Sequence, residues 1–127
     1  DSFAMGSGVL YDDTYAALLE RGLNESKDDR TYQVVNAALA GLNMAGIVNR
    51  FEAVGLRYDP DLVIVSAGFD AYAGDPLCNQ KLSAEDFRWF GKTLAGLGVP
   101  VASAMEGGYS DDLPDLVLAY LRGLLGK

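Results

Sequence analysis

The chain has 127 residues, half of them hydrophobic and 22% charged, with 10 Lys+Arg against 18 Asp+Glu and a net charge of −8. That length fits one domain or a piece of a larger one, and the apolar half supplies a core that a disordered chain would lack. The acidic balance excludes a nucleic-acid backbone binder, which needs clustered cations, and suits cationic ligands if any.

In chain order, Gly6-Ser7-Gly8 reads as a loop. Asp12 or Asp13 is placed to cap a helix carrying Tyr15, Leu18, Leu19 and Leu23. Residues 24–30 are polar and charged and read as a surface loop. A second helical stretch is expected with Val35, Leu39, Leu42 and Ile47 on one face, weakened by Gly41 and Gly46. Leu62-Val63-Ile64-Val65 is a continuous apolar run, the pattern of a parallel strand covered on both faces. A loop with Asp70, Gly74, Asp75 and Pro76 follows. Ser83 and Asp86 resemble a capping box for a helix bearing Phe87, Phe90, Leu94 and Leu97, stopped by Gly96 and Gly98. Val99 to Met105 reads as a second strand, Glu106 to Tyr109 as a tight loop. Ser110 or Asp111 caps a last helix with Leu113, Val117, Tyr120, Leu121 and Leu124.

This order of strand, helix, strand, helix gives parallel strands with right-handed crossovers. Loops after parallel strands share one edge of the sheet, where open α/β folds bind ligands. Asp75 and Tyr109, 34 positions apart, are therefore expected to converge.

Few residue types are left for chemistry. The chain has no histidine, which removes every His-dependent triad and every His-ligated metal site within it. Its one cysteine, Cys78, excludes an intrachain disulfide framework, has no histidine to activate it, and makes a reducing cytoplasm the default compartment. No apolar run of about 18 residues is present, so no transmembrane helix is expected, and no signal peptide is visible at the start. Asp70 and Asp75, just beyond the buried strand, are placed to ligate a metal or orient a base, although Asp and Gly are also ordinary turn formers. Tyr109 follows Gly107 and Gly108, which let backbone approach a ligand; its hydroxyl could serve a developing oxyanion or lie at the surface of a packed ring. No G-x-G-x-x-G or phosphate-loop pattern accompanies these glycines, so a nucleotide site is unsupported.

Two stretches, Pro60 to Leu82 (PDLVIVSAGFDAYAGDPLCNQKL) and Pro100 to Tyr109 (PVASAMEGGY), resemble the C-terminal part of the zinc-dependent histone deacetylase family. The words DPLCNQKLSAEDF and MEGGY lean toward its bacterial acetylpolyamine amidohydrolase branch. The resemblance is good over about residues 57–125 and faint over 1–23. It implies an α/β three-layer parallel sheet with helices on both faces, part of the arginase/deacetylase fold. It implies zinc-dependent removal of acetyl groups from an acetylpolyamine or an acetyl-lysine. It assigns Asp75, in AGDP, as a zinc-ligating aspartate, and Tyr109, in EGGY, as the residue that polarises the amide carbonyl. Gly107 and Gly108 match the glycines of the adjoining pocket wall.

Two departures shape the expectation. The family's tandem histidines and Asp-x-His ligands lie upstream of the matched region and are absent, and a catalytic zinc needs about three protein ligands. The isolated chain is therefore expected to be inactive, a C-terminal fragment of a longer deacetylase-like domain. Residues 24–48 read as an insertion, since relatives pass from the Tyr15-type helix to the Pro60-type strand with fewer residues. A sheet cut at one side leaves an unpaired edge, so marginal stability or self-association into a homo-oligomer is expected. The rival is a non-catalytic binding or assembly module derived from the same fold.

Overall fold

Strands form where the apolar runs place them. In the computed structural model, which describes residues 2–26, 29–39 and 42–127, the chain divides into two units, Asp1–Asp59 and Pro60–Lys127. Lys27, Asp28, Ala40 and Gly41, read above as loop and helix residues, lie outside the described residues.

The first unit holds α1 (Ser2–Met5), a 3-10 turn (Tyr11–Asp13), α2 (Tyr15–Asn24), α3 (Met44–Ala53) and a second 3-10 turn (Gly55–Tyr58). The cap of α2 is neither Asp12 nor Asp13, which are absorbed into the 3-10 turn. It is Thr14, extended and buried, whose Oγ1 accepts from the Ala17 N–H at 3.3 Å and donates to the Tyr11 carbonyl at 2.7 Å. A Cβ on Gly6 would collide with this threonine, and Gly6 has φ +80°.

The helix expected from Val35 onward starts only at Met44, with Asn43 as its cap, accepting from the Gly46 N–H at 2.8 Å. Described residues 30–39 are irregular. Their backbone groups are taken by side chains instead of a helical ladder. Asn24 both donates to the Tyr32 carbonyl and accepts from its N–H, each at 2.8 Å. Glu20 accepts from the Val34 N–H at 2.6 Å, and Arg50 donates to the Ala37 carbonyl at 3.1 Å. Asn36 accepts from the Ala38 N–H at 3.1 Å, a local turn that competes with helix.

The second unit holds β1 (Val63–Ala67), α4 (Ala84–Ala95), β2 (Val101–Met105) and α5 (Leu113–Leu124). The strands pair in parallel, Val63 opposite Val101 through Ala67 opposite Met105. Asp86 accepts from both the backbone N–H and the hydroxyl of Ser83 at 2.7 Å, the expected capping box, and these bonds hold its carboxyl below the usual aspartate range. The N-cap of α5 is Asp112, not Ser110 or Asp111, and it makes no side-chain cap bond; Ser110 accepts from the Asp112 N–H at 3.0 Å instead, and Pro114 lies in the first turn.

Core packing gathers on one face of the sheet. Phe87 is 1% exposed, and Phe69, Leu94, Leu116 and Tyr120 are buried with it. The Phe69 ring sits 5.1 Å from Phe87 and edge-on to Tyr120 at 5.9 Å. The Tyr120 hydroxyl bonds Ser103 of β2 at 2.7 Å; burial pushes its pKa up, partly offset by that bond. The helices cross where both have glycine: a Cβ on Gly91 would collide with the Tyr120 carbonyl, and one on Gly123 with the Arg88 carbonyl. On the opposite face Ile64 is 48% exposed, and Ala102 and Ala104 are exposed; Met105, at the end of β2, is exposed too. Among the described residues no helix is long and apolar enough to cross a membrane.

Candidate functional site

Both loops of interest leave the sheet at its C-terminal edge, and the parallel pairing continues into them. Glu106 N–H donates to the Ala67 carbonyl at 3.0 Å, and Phe69 N–H to the Gly107 carbonyl at 2.8 Å. Phe69 turns into the core, which leaves its neighbour Asp70 half-buried beside the second loop. Two glycines make room for Asp70. A Cβ on Gly68 would sit 3.1 Å from Asp70 Oδ1, and one on Gly107 would sit 3.1 Å from Asp70 Cγ. Gly108 is required twice over: its φ is +137°, and a Cβ there would meet Leu113 at 2.8 Å and Phe69 at 3.0 Å.

The segment after Asp70 closes on itself. Ala73 N–H donates to the Leu82 carbonyl at 2.9 Å, and Leu82 N–H to the Ala71 carbonyl at 3.0 Å. Within this loop Asp75 is 7% exposed. Its Oδ1 accepts from the N–H groups of Leu77 at 2.9 Å and Cys78 at 3.2 Å. Its Oδ2 accepts from the Tyr109 N–H at 2.8 Å. The expected convergence is therefore a direct hydrogen bond across 34 positions. A second tie, unanticipated in the sequence, runs parallel to it: the Tyr72 hydroxyl donates to Asp112 Oδ2 at 2.9 Å. That bond and the Asp112 charge raise the Tyr72 phenol above its usual range. No sequence motif marks this pair; only the shared sheet edge hints at it.

Electrostatics separate the acids. Burial pushes the Asp75 carboxyl up, but the N–H groups of Tyr109, Leu77 and Cys78 outweigh it and hold the acid below the usual aspartate range. A depressed folded pKa stabilises the fold above the unfolded value of about 3.9, and that contribution is lost as pH falls through the folded value. The urea midpoint of the chain should therefore drop as pH is lowered below about 4, and Asp75→Asn should flatten that drop. An identical acid limb in the variant would deny Asp75 this role. Cys78 goes the other way. Burial, the 3.5 Å bond from its thiol to Asp70 Oδ2, and the charges of Asp70 and Asp75 all raise its pKa, so the unreactive thiol read from the sequence agrees with its surroundings.

Asp70 differs from Asp75 in what it holds. Among the described residues, the only hydrogen bond to its carboxylate comes from the Cys78 thiol. Tyr109 is 58% exposed; its main chain is fixed by Asp75 while its hydroxyl stays free of any hydrogen bond among the described residues. The metal expected from the resemblance meets a poor donor set. No group of three His, Cys, Asp or Glu among the described residues could hold a metal ion, and the chain has no histidine. These residues do not by themselves fit a catalytic zinc.

Comparison with known proteins places the fold and loops in context. The profile of the histone deacetylase domain matches residues 20–124. A probable deacetylase of Methanothermobacter thermautotrophicus is 39% identical over 71 residues, 55% of this chain and 22% of the relative. Acetylpolyamine amidohydrolase 1 of Pseudomonas aeruginosa is 40% identical over 53 residues, 42% of this chain and 15% of the relative. A crystal structure of acetylpolyamine aminohydrolase from Burkholderia pseudomallei superposes with a TM-score of 0.54 at 27% identity, covering 72% of this chain and 28% of that one. The chain thus spans about a fifth of the curated relatives it matches.

Proposed function

Because the chain belongs to the histone deacetylase family and carries part of the arginase/deacetylase fold, we propose that it supplies the carbonyl-polarising side of an amide-hydrolase site. The substrate class is an acetylated amine, a polyamine or a lysine; relatives carry names that refer to acetylpolyamines and to histones. One observation carries the reading: the Asp75 carboxylate grips the Tyr109 backbone, whose exposed phenol has no hydrogen bond among the described residues, on the loop whose Gly107 lies against Asp70. A phenol so placed donates to the amide oxygen as that oxygen gains charge, and Gly107 and Gly108 form the wall against which the acyl group lies. Activation of the attacking water and protonation of the leaving amine fall to groups that this chain does not contain.

The hydrogen bonding divides the two aspartates. Asp75, which the resemblance implies as a metal ligand, spends three of its roughly four acceptor positions on backbone N–H groups. That supports a clamp. Asp70, bonded among the described residues only by a thiol, is the better candidate for the one metal-binding corner this chain could contribute to a longer protein. In the product of the longest reading frame that contains this chain, Asp70→Ala should lose zinc after dialysis, measured by elemental analysis. Asp75→Asn should keep zinc and lower Tm. Zinc kept by the first variant and lost by the second would return the ligand to Asp75.

The missing donors favour a second reading, a non-catalytic module that binds acetylated amines. Micromolar binding of N-acetylputrescine to this chain in the presence of a chelator supports the module. Zinc-dependent acetate release by this same chain contradicts both the module and the inactivity of the isolated chain.

A further inference from the structure

The two loops at the sheet edge are joined twice, and only one of the joints touches Tyr109. The inner joint is the Tyr109 N–H on the Asp75 carboxylate at 2.8 Å. The outer joint lies three residues earlier on the first loop and three residues later on the second, where the Tyr72 hydroxyl donates to Asp112 Oδ2 at 2.9 Å. The Asp75 N–H also donates to the Tyr72 carbonyl at 3.1 Å, so one turn of chain carries both joints.

Both partners of the outer joint are shaped for it. Gly74 leaves room for the Tyr72 ring: a Cβ there would sit 2.7 Å from the ring atom Cε1. The Tyr72 main chain is bridged to Leu82, within the loop that closes on itself. Asp112 is the N-cap residue of α5, where an aspartate ordinarily accepts from N–H groups of the first turn, yet it makes no such bond. Its carboxylate accepts from Tyr72 instead.

The outer joint matters because little else holds this part of the second loop. The loop's start is pinned to the sheet through Glu106 and Gly107, and Gly108 then turns the chain at φ +137°. Among the described residues, the only hydrogen bonds that reach 108–112 from outside the loop and α5 are those with Asp75 and Tyr72. The bond from the Asp112 N–H to Ser110 Oγ stays within the loop. One bond leaves a peptide free to pivot about it; two bonds, at either end of a short arc, fix its tilt. The direction of the Tyr109 Cα–Cβ bond, and with it the reach of the phenol, follows that tilt.

We propose that Tyr72 is a positioning residue: tied to Asp112, it sets the tilt of the second loop and so aims the Tyr109 hydroxyl at the amide oxygen, without itself touching substrate. This rests on the reading of Tyr109 given above. A misaimed donor costs rate more than binding, so the signature lies in kcat.

The test uses the product of the longest reading frame that contains this chain, assayed on N-acetylputrescine and on an acetyl-lysine peptide. Tyr72→Phe keeps the ring over Gly74 and removes the joint. It should lower kcat by about ten- to a hundredfold with KM within about twofold of the parent and zinc content unchanged. In a Tyr109→Phe background the same change should cost nothing further, because the hydroxyl being aimed is gone. Asp112→Asn, which keeps an acceptor for Tyr72, should recover most of the rate that Asp112→Ala loses. Amide hydrogen exchange over residues 108–112 should be roughly two- to tenfold faster in Tyr72→Phe, with β1 unchanged. Unchanged kcat in Tyr72→Phe beside a loss in Tyr109→Phe overturns the proposal and leaves the amide-hydrolase reading standing. Additive losses in the double variant, zinc lost from Tyr72→Phe, or unaltered exchange in the loop overturn it as well. Full turnover in Tyr109→Phe, or no turnover of either substrate by the parent, overturns the amide-hydrolase reading and the proposal with it.

Discussion

Replacing Tyr109 with phenylalanine should lower kcat of the full reading-frame product by about 10²–10³-fold, with zinc content and Tm unchanged. The variant removes one hydroxyl and nothing else that the fold uses. The Asp75 clamp holds the Tyr109 main chain, which phenylalanine keeps, and the ring is 58% exposed, so little packing is lost. A hydrogen bond made only as the carbonyl oxygen acquires charge lowers kcat and kcat/KM together. A rise in KM at constant kcat would instead describe a contact that merely holds substrate. Full turnover in the variant would remove Tyr109 from the chemistry, and the amide-hydrolase reading would lose its one reacting side chain in this chain.

Phe87→Ala is the substitution expected to cost most stability, about 3–5 kcal/mol. Phe87 is 1% exposed, stands in the first turn of α4, and packs its ring against Phe69, the residue that steers β1 into the site loop. Units of this size are stable by only several kcal/mol, so the variant should be largely unfolded at 25 °C. Phe87→Leu, which refills most of the volume, should cost far less. Urea midpoints of the three proteins decide it: a loss under about 1 kcal/mol in the alanine variant would mean that the helices collapse onto the gap.

The second unit was legible because each of its signals has a local cause. Leu62 to Val65 is an apolar run too short for helix, Val99 to Met105 a short strand pattern between Gly98 and the Glu106 loop, and Ser83 with Asp86 makes a cap that needs only one turn of chain. The convergence of Asp75 and Tyr109 followed from topology, since parallel strands leave their loops on one edge. The first unit yielded less. Residues 30–39 carry helix-friendly alanines, yet Glu20, Asn24, Asn36 and Arg50 bid for their backbone groups, and no periodicity reports such long-range bonds. Thr14 took the cap from two aspartates because those aspartates lie inside a 3-10 turn. The residues themselves offered no ground for separating Asp70 from Asp75 as turn aspartates; the resemblance alone singled out Asp75 as the metal ligand. Which of the two carboxylates the backbone occupies is a property of loop geometry, which no local pattern reports.

The register of the strands carries a kinetic consequence. Val63 pairs with Val101, and no rung of that ladder can close before the chain between them is collected. Asp75 to Tyr109 and Tyr72 to Asp112 are similarly distant pairs. Closing such loops costs entropy before any contact rewards it, which places this unit among topologies that fold slowly. Helix α4, capped by its own neighbours, can form early; the clamp on Tyr109 can form only late. During synthesis the tyrosine and its grip leave the ribosome well after β1, which until then lacks its β2 partner. Sequestering that strand during the interval is then a task for whatever receives the nascent chain.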